Sequence, residues 1–205
     1  MTMDRPGPAL RALCAIAVLA GALLAGCATT GSVQGKVSVA GQKGAPSDAV
    51  ITAFLEQHAS EVTPGSAGQA TMVETAGHFE PGVLLVEPGT TVHFANRDGI
   101  YHNLFSVSPA KKFDLGSVAP GREREVRFGQ VGIITVYCEL HPKEVGYVVV
   151  APRRSATRPG TDGAYLLAGL APGTYAVRAW HPTLGSQTRH IDLPPRGQVT
   201  VNFKY

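Results

Sequence analysis

Beyond residue 26 the sequence has no long run with helical apolar spacing, and aromatic residues make up only 7% of the chain. With 24 glycines and 15 prolines in 205 residues, the chain reads as β-structure interrupted by many turns. Lysine and arginine are scattered, and the formal net charge is only +3. Neither a phosphate-tracking groove nor a base-stacking platform is therefore suggested, and nucleic acid is excluded as a partner. An HExxH helix, a glycine-rich phosphate loop, a CxxC pair and a Ser-His-Asp order are all missing. No enzyme is expected.

Cysteine is scarce, at three residues: Cys14, Cys27 and Cys138. The first two belong to the N-terminus. Arg5 and Arg11 precede an apolar run from Ala12 to Ala25, which ends in Leu24-Ala25-Gly26 immediately before Cys27. As a helix this run would rise only about 21 Å, against a hydrocarbon core of roughly 30 Å. It is a targeting segment rather than a span. Leu-Ala-Gly-Cys resembles a bacterial lipobox, which implies cleavage after residue 26 and a lipid on Cys27; the alternative is an ordinary signal peptide cut at a small-residue site. Ala28 stands where an aspartate would hold such a lipoprotein at the inner membrane, so the resemblance implies the periplasmic side of the outer membrane. Cleavage would remove one acid and two bases, leaving a nearly neutral chain.

Cys138 then remains as an unpaired thiol in an oxidising compartment. Such a thiol is normally buried, reactive or bound to a metal.

Strict alternation marks several strands. In Gln198 to Tyr205, the residues Val199, Val201, Phe203 and Tyr205 share a face; Val33, Val37 and Val39 behave alike, as do Val92 with Phe94 and Val126 with Phe128. Short strands broken by Gly and Pro indicate sandwiches. Two polar, small-residue stretches, Glu61 to Gln69 and Ala151 to Gly163, bracket residues 69–151 as a module.

On either side of that module, Thr161-Asp162-Gly163-Ala164-Tyr165 and Gly169-Leu170-Ala171-Pro172-Gly173-Thr174-Tyr175 resemble the carboxypeptidase regulatory-like, or transthyretin-like, β-sandwich. That family's first two strands have the form of Gly35-Lys36-Val37 and Ala49 to Ala53. The resemblance implies one discontinuous domain, residues 31–57 and 152–205, with the module inserted in one of its loops.

The module contains Phe79-Glu80-Pro81, Pro88-Gly89-Thr90, Asn96-Arg97-Asp98, His102-Asn103 and Tyr137-Cys138-Glu139-Leu140-His141-Pro142. In this order the pieces resemble a cupredoxin of the plastocyanin and amicyanin kind, as found in methylamine utilization-type cupredoxin proteins. The most specific element is a Cys-x2-His loop after a strand, with a histidine 36 residues upstream. The resemblance implies a Greek-key sandwich with copper held by His102, Cys138 and His141. The Asn103 amide would donate to the Cys138 sulfur and the Asn103 side chain would brace the ligand loop. A soft thiolate with two imidazoles suits copper cycling between its two oxidation states; zinc accepts the same donors.

The pattern departs at the axial position, where cupredoxins usually carry methionine and this chain has Glu144. All three methionines, Met1, Met3 and Met72, lie elsewhere. Glu144 would either bind as a hard oxygen ligand, or point to solvent and leave three donors, or weaken the site. Because surface-loop carboxylates are usually hydrated, the solvent-facing placement is favoured. His58, His78, His93 and His190 read as surface residues. Trp180-His181-Pro182 reads as a packed tryptophan at a turn, with docking or a second metal as the alternative.

Three functions are open. The first is a periplasmic electron carrier serving an unidentified redox partner; the second is a copper-binding or delivery lipoprotein without redox turnover; the third is a structural or carbohydrate-binding lipoprotein with no metal.

Overall fold

The computed structural model describes residues 29–42, 44–56 and 68–205. The expected signal peptide, Cys27, His58 and most of Glu61 to Gln69 lie outside the described residues. Among the described residues, no helix is long and apolar enough to cross a membrane. The chain is all-β.

In chain order the strands are β1 (Gly31–Ser38), β2 (Val50–Leu55), β3 (Gln69–Thr75), β4 (His78–Glu80), β5 (Val83–Val86) and β6 (Thr90–Asn96). These lead to β7 (His102–Ser106), β8 (Phe113–Val118), β9 (Glu123–Phe128), β10 (Gly132–Cys138) and β11 (Val145–Val150). The last are β12 (Ala156–Thr157), β13 (Ala164–Leu170), β14 (Gly173–His181), β15 (Gly185–Leu193), β16 (Gln198–Thr200) and β17 (Phe203–Lys204).

Strands from both ends of the chain pair with one another. One sheet has the order β13-β1-β16, with β17 also on β1, and the other has the order β12-β2-β14-β15. Val33, Val37, Ile51, Ala53, Leu167, Val177 and Phe203 alternate inward from these sheets to make one core. The middle strands form a second pair of sheets, β5-β11-β10-β7-β8 and β4-β3-β6-β9. Their core is Met72, Phe94, Phe128, Ile134, Val136 and Val148. A smaller cluster of Val50, Val83 and Val149, flanked by Tyr147 and Trp180, joins the two sandwiches. The Tyr147 and Trp180 rings meet edge to face with centroids 5.2 Å apart, an arrangement favoured by their quadrupoles.

Two sequence expectations change in detail. Gln198 to Tyr205 is not one strand, because the pairing with β1 breaks at Val201: its amide bonds Gln34 but its carbonyl accepts from the Tyr165 hydroxyl at 2.6 Å. Gly35 permits this crossing, since a Cβ there would lie 1.7 Å from the Val201 oxygen. Nor is Ala151 to Gly163 only a loop-like boundary of the module. It contains a 3-10 turn at Arg153–Ser155 and then β12, where Ala156 pairs with Thr52.

Burial raises the Tyr165 and Tyr175 phenols above their ordinary value. Their stabilising contribution is therefore complete below the unfolded-state tyrosine pKa of about 10 and is lost as pH rises above it, at up to about 1.4 kcal/mol per pH unit for each tyrosine. The unfolding midpoint should fall steeply in strong alkali, and Tyr165→Phe should flatten that slope. An unchanged slope in the variant would show that Tyr165 ionises freely in the folded chain.

Candidate metal centre

At one end of the middle sandwich, β10 finishes with Ile134, Val136 and Cys138 on its inward face. Antiparallel pairing of Cys138 with Leu104 lays the start of β7 alongside it, so His102 opens its strand next to the thiol. The loop after Cys138 folds back at once. The Glu139 amide donates to the Asn103 carbonyl at 2.9 Å, the Glu144 amide to the His141 carbonyl at 2.9 Å, and the Cys138 amide to the Glu144 carbonyl at 3.3 Å. This closed turn brings His141 and Glu144 over the sulfur.

The four side chains converge. His102 Nδ1 lies 3.1 Å from His141 Nδ1, 3.6 Å from Cys138 Sγ and 3.1 Å from Glu144 Oε2. His141 Nδ1 lies 3.5 Å from the sulfur and 3.3 Å from Glu144 Oε2. Donors placed about 2.0–2.3 Å from one ion at tetrahedral angles would be separated by about 3.3 Å for two nitrogens and about 3.6 Å for nitrogen and sulfur. One ligand atom from each residue lies within 4.8 Å of all the others. The donor set thus fits a single small cation.

Hydrogen bonding alone does not account for this packing. A neutral ring nitrogen has one proton or one lone pair to offer, yet His102 Nδ1 also faces Glu74 Oε1 at 2.8 Å. One proton on this nitrogen cannot serve all of these neighbours at once.

Contrary to the solvent-facing expectation, Glu144 is buried, because the turn from His141 carries it inward as β11 begins. His102 and Cys138 are buried as well, whereas the His141 side chain is 33% exposed and adjoins the exposed Leu140. The site therefore has a buried interior and one exposed edge.

Sequence reading missed Glu74. It lies two residues beyond Met72 on the inward face of β3 and is only 1% exposed. The usable signal was period-two alternation from Met72. Neither of its oxygens makes a well-directed hydrogen bond, although His102, Glu144 and Cys138 border it. Burial, followed by the neighbouring Glu144, pushes its carboxyl up to about 9. Burial also works against ionising Glu144, but the adjoining Glu74 carboxyl and the charges of His102 and His141 outweigh it, leaving Glu144 below its ordinary value. For Cys138, burial dominates and raises the thiol, partly offset by the amides of Asn103, His141 and Leu140.

Around these groups, Asn103 Nδ2 donates to Glu139 Oε2 at 2.6 Å, tying β7 to the ligand loop. Asp98 Oδ2 sits 3.3 Å from His102 Nε2, an ion-pair distance rather than an aligned hydrogen bond. Asn96 fixes that corner: its side chain accepts from the Asp98 amide and donates to the carbonyls of Ile100 and Val118.

Among the described residues, the other histidines stand apart from the cluster. His93 lies 3.3 Å from Glu123, His190 pairs with Glu56, and His78 is exposed. Trp180 packs between the sandwiches. His181 Nδ1 accepts from the amides of Thr183 and Leu184 at 3.2 and 3.3 Å, so this nitrogen caps a turn.

No protein-family model matches the chain. Among solved structures it is similar to a purple cupredoxin from Nitrosopumilus maritimus, at 30% identity over 40% of this chain and 99% of that one, with a TM-score of 0.36. It is similar also to an amicyanin variant in its reduced state, at 23% identity over 49% of this chain and 99% of that one, with a TM-score of 0.38. A copper-containing nitrite reductase from Thermus scotoductus SA-01 aligns at 23% identity over 43% of this chain but only 25% of its own, with a TM-score of 0.39.

Proposed function

We propose that this chain is a copper-binding, one-electron carrier whose ligands are His102, Cys138, His141 and Glu144. The observation that carries this reading is the approach of the two Nδ1 atoms to 3.1 Å of each other and 3.5–3.6 Å of the Cys138 sulfur, in a site buried except at the His141 edge. Two imidazoles and a thiolate are borderline-to-soft donors, and for such sites copper(II) stands above zinc in affinity. When bound, copper supplies cycling between two oxidation states one electron apart.

The chain's own residues supply the rest. Strands β7 and β10 hold His102 and Cys138 rigidly, the closed turn fixes His141 and Glu144, and Asn103 braces the loop through Glu139. Burial of His102, Cys138 and Glu144 limits access of water to the site. The exposed edge of His141 is the exit toward a redox partner, and nothing in the arrangement calls for catalysis of its own.

In this reading residues 69–151 are an inserted copper module carried by the sandwich of residues 31–57 and 152–205. Cys27 carries a lipid that holds the protein on the periplasmic side of the outer membrane. The inward Glu144 favours a second reading, copper binding or delivery without redox turnover, because an anionic oxygen favours the divalent ion. Reversible cyclic voltammetry of the copper-loaded chain separates the two.

The decisive experiment is metal content with visible and spin-resonance spectra, alongside Cys138→Ser. The parent should hold one copper per chain with a thiolate charge-transfer band, and the variant should lose the band. A parent that retains no metal after expression with copper would leave only a structural pair of sandwiches.

A further inference from the structure

Glu74 is the residue that the four-donor site leaves unexplained. Burying a carboxyl group without partners costs several kcal/mol, and native structures rarely leave such groups unsatisfied. Both Glu74 oxygens lack a well-directed hydrogen bond, and no lysine or arginine is paired with it among the described ion pairs. Surrounding it are three groups already assigned to the metal: His102 Nδ1 at 2.8 Å, the Glu144 carboxyl and the Cys138 thiol.

Its position is fixed from the opposite sheet. Glu74 pairs in register with Asn96 across β3 and β6, and its carbonyl accepts from the Arg97 amide at 2.9 Å. The side chain is itself buried, whereas the His141 side chain is one-third exposed. Glu74 lies outside the set of ligand atoms that are all within 4.8 Å of one another.

We infer that Glu74 is a fifth donor to the metal, making the site a two-carboxylate centre selective for divalent cations. The inference rests on the metal-binding reading above and extends its ligand set. Two carboxylate oxygens beside one thiolate favour a borderline divalent ion such as Cu(II), Zn(II) or Co(II) over Cu(I), which prefers soft ligands. Glutamine at position 74 keeps the shape and removes the charge.

The test compares the parent with Glu74→Gln in the full mature chain, using Zn(II), Co(II) and Cu(I) as probes. Zn(II) affinity should fall by more than the roughly 10–100-fold that loss of a group merely supporting a ligand costs, while Cu(I) affinity changes much less. The visible d–d band of the Co(II) form should intensify in the variant as a five-donor site becomes a four-donor one. A merely structural glutamate would not move that band. Should E74Q fail to fold, Glu74→Asp keeps the charge but withdraws the oxygen by one methylene, and the same change in the cobalt band is expected. Parental Zn(II) affinity and an unchanged cobalt band in the variant would overturn the role of Glu74 alone. A parent that binds none of the three ions would overturn it together with the metal-binding reading.

Discussion

Loading the metal-free chain with Zn(II) or copper is expected to raise its unfolding midpoint by about 8–16 °C. A ligand that binds only the folded state contributes about 4 kcal/mol when free at a thousand times its Kd, and a chain of this size gains about 2–4 °C per kcal/mol. The gain should be large because the empty cluster is poorly satisfied: one His102 nitrogen faces His141, Glu144 and Glu74 at 2.8–3.1 Å, and the Cys138 thiol is buried. A divalent ion replaces these mismatched contacts with bonds to each donor. If residues 69–151 unfold separately, the shift in that transition should be larger still, since smaller domains respond more steeply. Cys138→Ser should forfeit most of the shift with Zn(II). Loaded and stripped forms that melt together would mean that the donors do not close on an ion.

Much of this architecture was readable before any coordinates. Alternation at Val33 and Val37, Val92 and Phe94, and Val126 and Phe128 identifies inward faces because a strand repeats every two residues, and these residues are buried in the two cores. His102, Cys138 and His141 stand out only together, in the order of pieces that resembles a cupredoxin; taken singly, each reads as a satisfied histidine or a buried thiol. The placement of the carboxylates does not stand out. Whether Glu144 is hydrated depends on the turn that bonds its amide to the His141 carbonyl, and backbone closure of this kind has no residue-type signature. Glu74 is less visible still, because its alternation with Met72 acquires meaning only when β3 is laid beside β6 at the metal-binding end. The break at Val201 was equally hidden, being set by a distant tyrosine hydroxyl.

Replacing Glu144 with methionine should raise the reduction potential of the copper site by about 170 mV. The negative oxygen interacts more favourably with Cu(II) than with Cu(I) by one unit of charge, and at about 4 Å with an effective dielectric constant of 20 that difference is about 4 kcal/mol. At about 1.4 kcal/mol per tenfold change in equilibrium constant, this is nearly three decades, and each decade is worth 59 mV for a one-electron couple. Methionine is about the right length to fill the same buried space and offers a soft sulfur that also favours Cu(I). The substitution removes Glu144 Oε2 from its positions 3.1 Å from His102 Nδ1 and 3.3 Å from His141 Nδ1, while the turn bonds made by its backbone remain available. Voltammetry of parent and Glu144→Met proteins under the same buffer and salt measures the difference directly. A potential that moves by less than about 60 mV, one decade in the Cu(II)/Cu(I) preference, would mean that the Glu144 charge is neutralised or screened from the ion, leaving His102, Cys138 and His141 to set the potential.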